Sequence, residues 1–387
     1  MKDIAIITSY FPPETGAASN RIFHLAHGLK QMDYKVQVLT PLPNYPTGQI
    51  FDGYRGRFKH ISNEDGLTIN RLWIYASNSK NKALRLLAML SYSFSLVWFF
   101  MWNTLPKTVI VQSPPLLVAF TCMLFLRSKK RKLILNVSDL WPIAGLELGV
   151  FKKNWSYRLL ERIEAFNYRN ADLALGQSEE ILTHITSISP TVPQFLYRNY
   201  PDFEPPKLQG NLIEKKKLTI VYAGLLGIAQ GIYKLCQNID YNNIELHIYG
   251  SGAEQSKIER FIPENKSLPI YYHGQVGRAE LHKVLLQYDL AIIPLLNRIY
   301  GSVPSKIFEY ARLGLPMLYF GGGEGETVIK EFKLGWIAEA ANYDALNEVI
   351  SSIEVGMITN DFRREIQQSA VSHFNFNEQL RHLKEVL

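Results

Sequence analysis

The chain has 387 residues, 47% hydrophobic and 20% charged, which excludes a disordered, collagen-like or coiled-coil protein and leaves room for roughly two to three domains. Its 42 Lys and Arg against 35 Asp and Glu leave +7, which suits an anionic partner (nucleic acid, a nucleotide diphosphate or an acidic membrane) or a generic basic surface. The two cysteines, Cys122 and Cys236, lie far apart in apolar settings, which excludes a disulfide scaffold or zinc cluster and points to a reducing compartment.

Ile4-Ala5-Ile6-Ile7 follows three N-terminal residues. The run is too short for a signal peptide and reads as a buried parallel strand, Ile4–Ser9. The loop Phe11-Pro12-Pro13-Glu14-Thr15-Gly16-Ala17-Ala18 then leads into a helix beginning near Ser19. A strand, a small-residue loop and a helix N-terminus make either an anion cradle, with Gly16 and Ala17 admitting a ligand to the backbone, or an ordinary tight turn. His24 and His27 have no third ligand in sequence and read as packing or surface residues.

Lys35–Thr40 is the next strand. Leu84–Trp102 is almost wholly apolar, with Arg85 its one charge and Trp98, Phe99, Phe100 and Trp102 near its end. It reads as a buried helix, a bilayer span, or a helix dipping into a membrane surface. Strand Thr108–Gln112 and a short apolar stretch, Leu116–Leu126, run into Arg127, Lys129, Lys130, Arg131 and Lys132. Aromatics beside such a basic run are what an anionic interface attracts, so Trp98, Trp102 and these five cations are expected to face a membrane surface. Strand Lys132–Val137 then delivers Asp139 and Trp141 to the carboxyl-end crevice where α/β sheets bind ligands. Asp139 reads equally as a functional carboxylate or a helix N-cap. Asp172–Gly176 closes the first strand series.

Pro201, Pro205, Pro206, Gly210 and Lys215-Lys216-Lys217 mark a connector. A second strand series follows: Leu218–Ala223, Ile244–Tyr249, Ile270–His273, Leu290–Pro294, Pro316–Phe320 and Gly335–Ile337. Alternation of strands with helices predicts two parallel sheets. Gly224 and Gly227 after the first strand, then Gly250 and Gly252 after the second, permit close phosphate approach. His273-Gly274-Gln275-Val276 ends the third. The densest signal is Tyr300 to Pro316. Its loop enters a helix where the amides of Ser302 and Val303 and the Lys306 ammonium are expected to converge on a diphosphate. Glu309, placed about one and a half turns into that helix, suits vicinal ribose hydroxyls; the plainer reading is an exposed Lys/Glu pair.

Taken together these motifs resemble the retaining GT-B nucleotide-sugar glycosyltransferases of family 4, in particular the bacterial branch of N-acetyl-L-fucosamine and related deoxysugar transferases of O-antigen and capsule assembly. The matching pieces are the Phe11–Ala18 loop, Ser113-Pro114-Pro115, Asp139-Leu140-Trp141-Pro142, Tyr222-Ala223-Gly224, Gln230-Gly231, Gly250-Ser251-Gly252, Pro304-Ser305-Lys306 with Glu309-Tyr310, and Gly314-Leu315-Pro316. The resemblance implies an α/β protein with two Rossmann-like domains whose parallel sheets face each other across a cleft. Residues 1–200 would bind acceptor, with 84–132 towards the membrane; 201–217 would link; 218–370 would bind the nucleotide sugar; 371–387 would cross back as a helix.

The resemblance also implies donor contacts from Glu309, Ser302, Val303, Ser305, Gly224, Gly250, Val276 and Ala17. Lys306 and the Gly16 turn would offset charge on the leaving nucleotide diphosphate, and Asp139 would be a base or acceptor-orienting group. The first glutamate of the family's pair is replaced by Gly301, and two usual cations by Leu225 and Gln230. No Asp-x-Asp motif occurs, so no metal or cofactor is expected. The expected partners are a nucleotide-sugar donor, a polyprenyl-diphosphate-linked acceptor and an anionic membrane, and not nucleic acid. The expected location is the inner face of the cytoplasmic membrane. Alternatives are a nucleotide-sugar 2-epimerase and a non-catalytic nucleotide-sugar-binding partner.

Overall fold

The computed structural model describes residues 2–79, 81–147, 149–208, 217–296 and 299–387. Two compact units emerge: Met1–Arg198 with Asn377–Leu387, and Asn199–Phe376. Gly210, Lys215 and Lys216 of the expected connector lie outside the described residues.

In chain order the first unit holds β1 (Lys2–Ile7), α1 (Ala17–Gln31), β2 (Tyr34–Pro41), β3 (Lys59–Glu64), β4 (Leu67–Leu72), α2 (Lys82–Trp102) and β5 (Thr108–Ser113). It continues through α3 (Leu116–Phe125), β6 (Lys132–Val137), α4 (Ile143–Glu147), α5 (Trp155–Arg169), β7 (Leu173–Gly176), α6 (Glu179–Ile188) and β8 (Gln194–Leu196). The sheet order is β3-β4-β2-β1-β5-β6-β7-β8. Every neighbouring pair is parallel except β3 with β4. Ile4, Ala5, Ile6 and Ile7 are all fully buried, because helices cover both faces of the central strand.

That antiparallel hairpin departs from the all-parallel expectation. Its outer strand, Lys-His-Ile-Ser-Asn-Glu, alternates exposed and half-buried positions and carries no apolar face to announce it. It serves Arg71, which is buried on β4 and pairs with Glu64 at 2.8 Å. The Arg71 guanidinium also donates to Pro12 O at 2.7 Å, tying the hairpin to the loop after β1.

α2 is long and apolar enough to cross a bilayer, yet it packs on the sheet. Tyr92 Oη donates to Thr8 O at 3.0 Å, and Ser95 Oγ to Trp73 O at 2.7 Å. Its other face is uncovered and almost wholly apolar: Leu86, Leu87, Leu90, Phe94, Trp98, Met101 and Trp102 are exposed, Trp102 to 69%. Only 28% of its apolar window is buried, so the buried-helix reading does not hold.

The second unit holds β9 (Leu218–Ala223), α7 (Ile232–Asn238), β10 (Ile244–Tyr249), α8 (Gln255–Glu264), β11 (Ile270–Tyr272), α9 (Arg278–Leu285) and β12 (Leu290–Pro294). It continues with α10 (Lys306–Leu313), β13 (Met317–Phe320), α11 (Glu324–Glu331), β14 (Gly335–Ala338), α12 (Tyr343–Ser352) and α13 (Asn360–His373). The final helix, α14 (Phe376–Val386), lies almost wholly in the first unit. There Lys132 Nζ donates to Val386 O at 2.6 Å. The second sheet runs β11-β10-β9-β12-β13-β14, all parallel. Its two faces bury separate apolar clusters, one under α7, α8 and α12, the other under α10, α11 and α13.

Candidate functional site

The site in the second unit grows from the carboxyl ends of β9, β10 and β11. Gly224 N donates to Tyr249 O at 2.9 Å and Gly250 N to Gly274 O at 2.7 Å, so three loops are laced edge to edge. A Cβ on Gly250 would stand 1.8 Å from Gly224 O, so only glycine permits this approach. The loops enclose a pocket of about 250 Å³ lined by residues that include Gly224, Leu225, Tyr249, Gly250, Gln275 and Val276. That brings Gly224, Gly250 and Val276 together at one pocket.

Lys306, the first residue of α10, reaches into this corner. Its Nζ lies 4.5 Å from the centre of the Tyr222 ring. A Cβ on Gly224 would sit 2.0 Å from that nitrogen, so the glycine makes the room the ammonium occupies. Burial pushes the lysine down to about 8, and the Glu309 carboxylate pulls the other way. A lysine held against a glycine-bared backbone beside a pocket presents positive charge and amide dipoles where a phosphate can approach.

Glu309 falls in the first turn of α10, earlier in the helix than expected. It forms no exposed pair with Lys306: its Oε1 lies 2.7 Å from Nε2 of His282 on α9. The sequence reading missed His282 altogether. Ser302 is a second correction. Its amide donates to Ile299 O at 3.0 Å and so closes the loop instead of pointing at a ligand. Val303 is buried among apolar neighbours, and Ser305 occupies the N-cap position of α10 without a side-chain capping bond. Gly301 adopts φ 82°, a left-handed conformation that suits glycine.

A separate cluster sits at the carboxyl ends of the first unit's strands. Gly16 (φ 144°) caps α1, and Gly16 and Ala17 are exposed at its N-terminus. The loop before them is pinned by Glu14, whose carboxylate accepts from the amides of Asn44 and Tyr45 at 2.8 and 2.9 Å and of Phe11 at 3.4 Å. Asp139 is not an N-cap, since α4 begins only at Ile143. Its Oδ2 is 3.4 Å from Ser138 Oγ, and burial raises its pKa while the Arg21 guanidinium opposes the shift. Arg21 is buried on α1 and donates to Gln177 Oε1 at 2.7 Å; its Nε has no partner among the described residues. Among the described residues, no group of three or more His, Cys, Asp or Glu side chains gathers as a metal site.

The expected membrane-facing residues divide. Trp98 and Trp102 lie on the uncovered face of α2, their ring centres 5.9 Å apart. Arg127, Lys129 and Lys130 are exposed after α3. Arg131 instead turns its guanidinium onto Leu126 O at 2.8 Å, and Lys132 serves α14, so these two are structural. The reading also missed α5. That helix packs against α3, with Phe166 and Phe120 ring centres 4.9 Å apart, and exposes Trp155 to 78% beside Arg158, Leu159 and Arg162.

Residues 16–193 match the family described as glycosyl transferase 4-like domain, and residues 204–370 match glycosyl transferases group 1. The chain is a GT-B glycosyltransferase. Among solved structures it is similar to a sucrose-phosphate synthase of Thermosynechococcus elongatus (TM-score 0.77, 14% identity, covering 100% of this chain and 98% of that one). It is also similar to the Anabaena protein HepE in complex with UDP-glucose (TM-score 0.67, 13% identity, 100% of both chains). A third is WaaG, a glycosyltransferase involved in lipopolysaccharide biosynthesis (TM-score 0.64, 12% identity, 97% of this chain and 98% of that one). At these identities the likeness shows the GT-B fold. No curated protein matches the sequence.

Proposed function

We propose that this GT-B glycosyltransferase moves a sugar, with retention of configuration, from a nucleoside diphosphate donor to a lipid-linked saccharide at an anionic membrane surface. The observation that carries this reading is the corner where Lys306 Nζ fills the space left by Gly224, with Glu309 on the same helix. Lys306 receives the diphosphate, Glu309 the pentose, and the pocket lined by Tyr249, Gln275 and Val276 the base. The bond from the anomeric carbon to the β-phosphate oxygen breaks, and the acceptor hydroxyl oxygen bonds to that carbon on the same face. Its proton passes to the departing phosphate, whose charge Lys306 offsets. Asp139 and the Gly16–Ala17 helix end orient the acceptor or its phosphates. A uridine donor is supported by HepE, which is solved with UDP-glucose.

The membrane part of the reading is supported by the uncovered apolar face of α2 and by the exposed cations that follow α3. Exposed Trp98, Met101 and Trp102, with exposed Arg127, Lys129 and Lys130 following the neighbouring helix α3, match an interfacial helix that dips aromatics below anionic headgroups. Trp155, Arg158 and Arg162 extend the surface onto α5. The O-antigen or capsule role follows from the resemblance of the motifs; WaaG's part in lipopolysaccharide synthesis is consistent with it.

The test is a transfer assay with UDP-, GDP- and dTDP-sugars and a polyprenyl-diphosphate saccharide, with the anomeric configuration of product read by NMR. Labelled, retained product supports the proposal. A sugar epimerised without acceptor favours the epimerase alternative, and donor binding with no turnover under any pairing favours a non-catalytic partner.

A further inference from the structure

Glu309 is held from outside its own helix. His282 Nε2 stands 2.7 Å from Glu309 Oε1, and both side chains are about four-fifths buried, 18% and 19% exposed. The imidazole is backed by the ring of Phe203, centre to centre 4.4 Å at 39°. Phe203 is fixed in turn, because its carbonyl accepts from Arg312 Nε at 2.5 Å. Arg312 lies on α10, three residues after Glu309. The contacts therefore close a circuit: α10 holds Phe203, Phe203 backs His282, and His282 returns to α10 at Glu309.

The circuit has a chemical consequence for a carboxylate meant to meet a diol. A glutamate has three side-chain torsions to settle before it can accept from two vicinal hydroxyls. A hydrogen bond in a largely water-excluded spot settles them in advance. We propose that His282 is a positioning residue for donor recognition: its Nε2–H orients the Glu309 carboxylate for the pentose hydroxyls, and Phe203 with Arg312 fixes the imidazole. This rests on the reading of Glu309 as the pentose-binding group. His282 touches neither sugar nor phosphate in this scheme, so its removal acts on donor KM and leaves kcat at saturating donor nearly unchanged.

The experiment is calorimetric titration of the full chain with UDP and GDP and with their 2′,3′-dideoxy counterparts, for wild type, His282→Ala, His282→Gln and Glu309→Ala. Loss of one hydrogen bond to a charged group predicts that His282→Ala weakens the ribonucleotide roughly tenfold. The dideoxy nucleotide, with no diol to present, is expected to bind His282→Ala as it binds wild type. His282→Gln, which keeps an N–H donor, recovers most of the loss. Equal loss for both nucleotides, or none for either, overturns the proposal. The underlying reading is separable: if Glu309→Ala leaves the ribo/dideoxy preference intact, Glu309 is not the pentose group. If Glu309→Ala abolishes that preference and His282→Ala keeps it, only the role of His282 fails. Phe203→Leu provides a second check should His282→Ala fold poorly, with a smaller loss again confined to the ribonucleotide.

Discussion

The Lys306 ammonium lies 4.5 Å from the centre of the Tyr222 ring, in space that exists because residue 224 has no side chain. A cation thus waits over an aromatic face at the edge of the pocket, desolvated before any phosphate arrives. This pairing sets the expectations for the proposed donor site.

Gly224→Ala should damage both fold and binding. The new methyl would stand 2.0 Å from Lys306 Nζ, on a residue with φ +152°. Strain and displacement together should cost about 1–3 kcal/mol of stability and push the ammonium from the pocket. Thermal denaturation with and without UDP checks this. A variant as stable and as UDP-responsive as wild type contradicts it.

Lys306 also gives a pH signature. Its pKa is lowered from 10.5 to about 8, so the charge proposed to meet the diphosphate is lost as pH rises through about 8. Donor kcat/KM should fall above that point in wild type, and much less steeply in Lys306→Arg. The effect on stability has the opposite sense. Between about 8 and 10.5 the unfolded chain binds the proton more tightly, so this group makes the fold more stable as pH rises through that window. Lys306→Met should cut donor affinity by roughly 10- to 100-fold, the worth of a hydrogen bond to a charged group, while leaving Tm unchanged or raised at pH 7.

Asp139 feels the charge of Arg21 within the first unit. Burial raises the Asp139 pKa and Arg21 restrains the rise. Arg21→Met should therefore lift that carboxyl further, visible in its carbon-13 shift during an acid titration. Because the folded pKa exceeds the unfolded 3.8, this group's stabilisation is present at low pH and is lost as pH climbs through the folded value. A titration unmoved by Arg21→Met would separate the two residues.

The proposed membrane surface is testable by flotation on vesicles. Neutralising Arg127, Lys129 and Lys130 should cost about 1 kcal/mol each, on the order of 100-fold in partitioning onto anionic vesicles, with little change on neutral ones. Replacing Phe94, Trp98, Met101 and Trp102 by serine should abolish binding to both. Arg131 and Lys132 are bound to Leu126 O and Val386 O, so neutralising them should lower Tm more than it lowers partitioning. Unchanged partitioning after all four apolar replacements would refute the membrane role of α2.

Much of the fold was legible in the sequence because buried parallel strands announce themselves. Ile4–Ile7 is covered on both faces, so no polar residue interrupts it. The β3–β4 hairpin was not, since Lys59–Glu64 has the composition of a loop and is held by pairing with β4. Lys306 and Gly224 were legible singly, as a cation near a helix start and a glycine after a strand. Their mutual fit depends on β9 and α10 meeting, which 81 intervening positions hide. His282 was invisible for the same reason: its partner is 27 residues on, and a lone histidine in a helix carries no motif. The Ser302 amide was misjudged because loop dihedrals, unlike residue types, decide where an N–H points.

The most direct measurement is a crystal structure of the protein with a nucleoside diphosphate sugar that it binds. The account predicts the diphosphate within hydrogen-bonding reach of Lys306 Nζ, the pentose hydroxyls on Glu309, and the base beside Val276. A nucleotide seated away from Gly224, with Lys306 and Glu309 touching only protein or water, would contradict it.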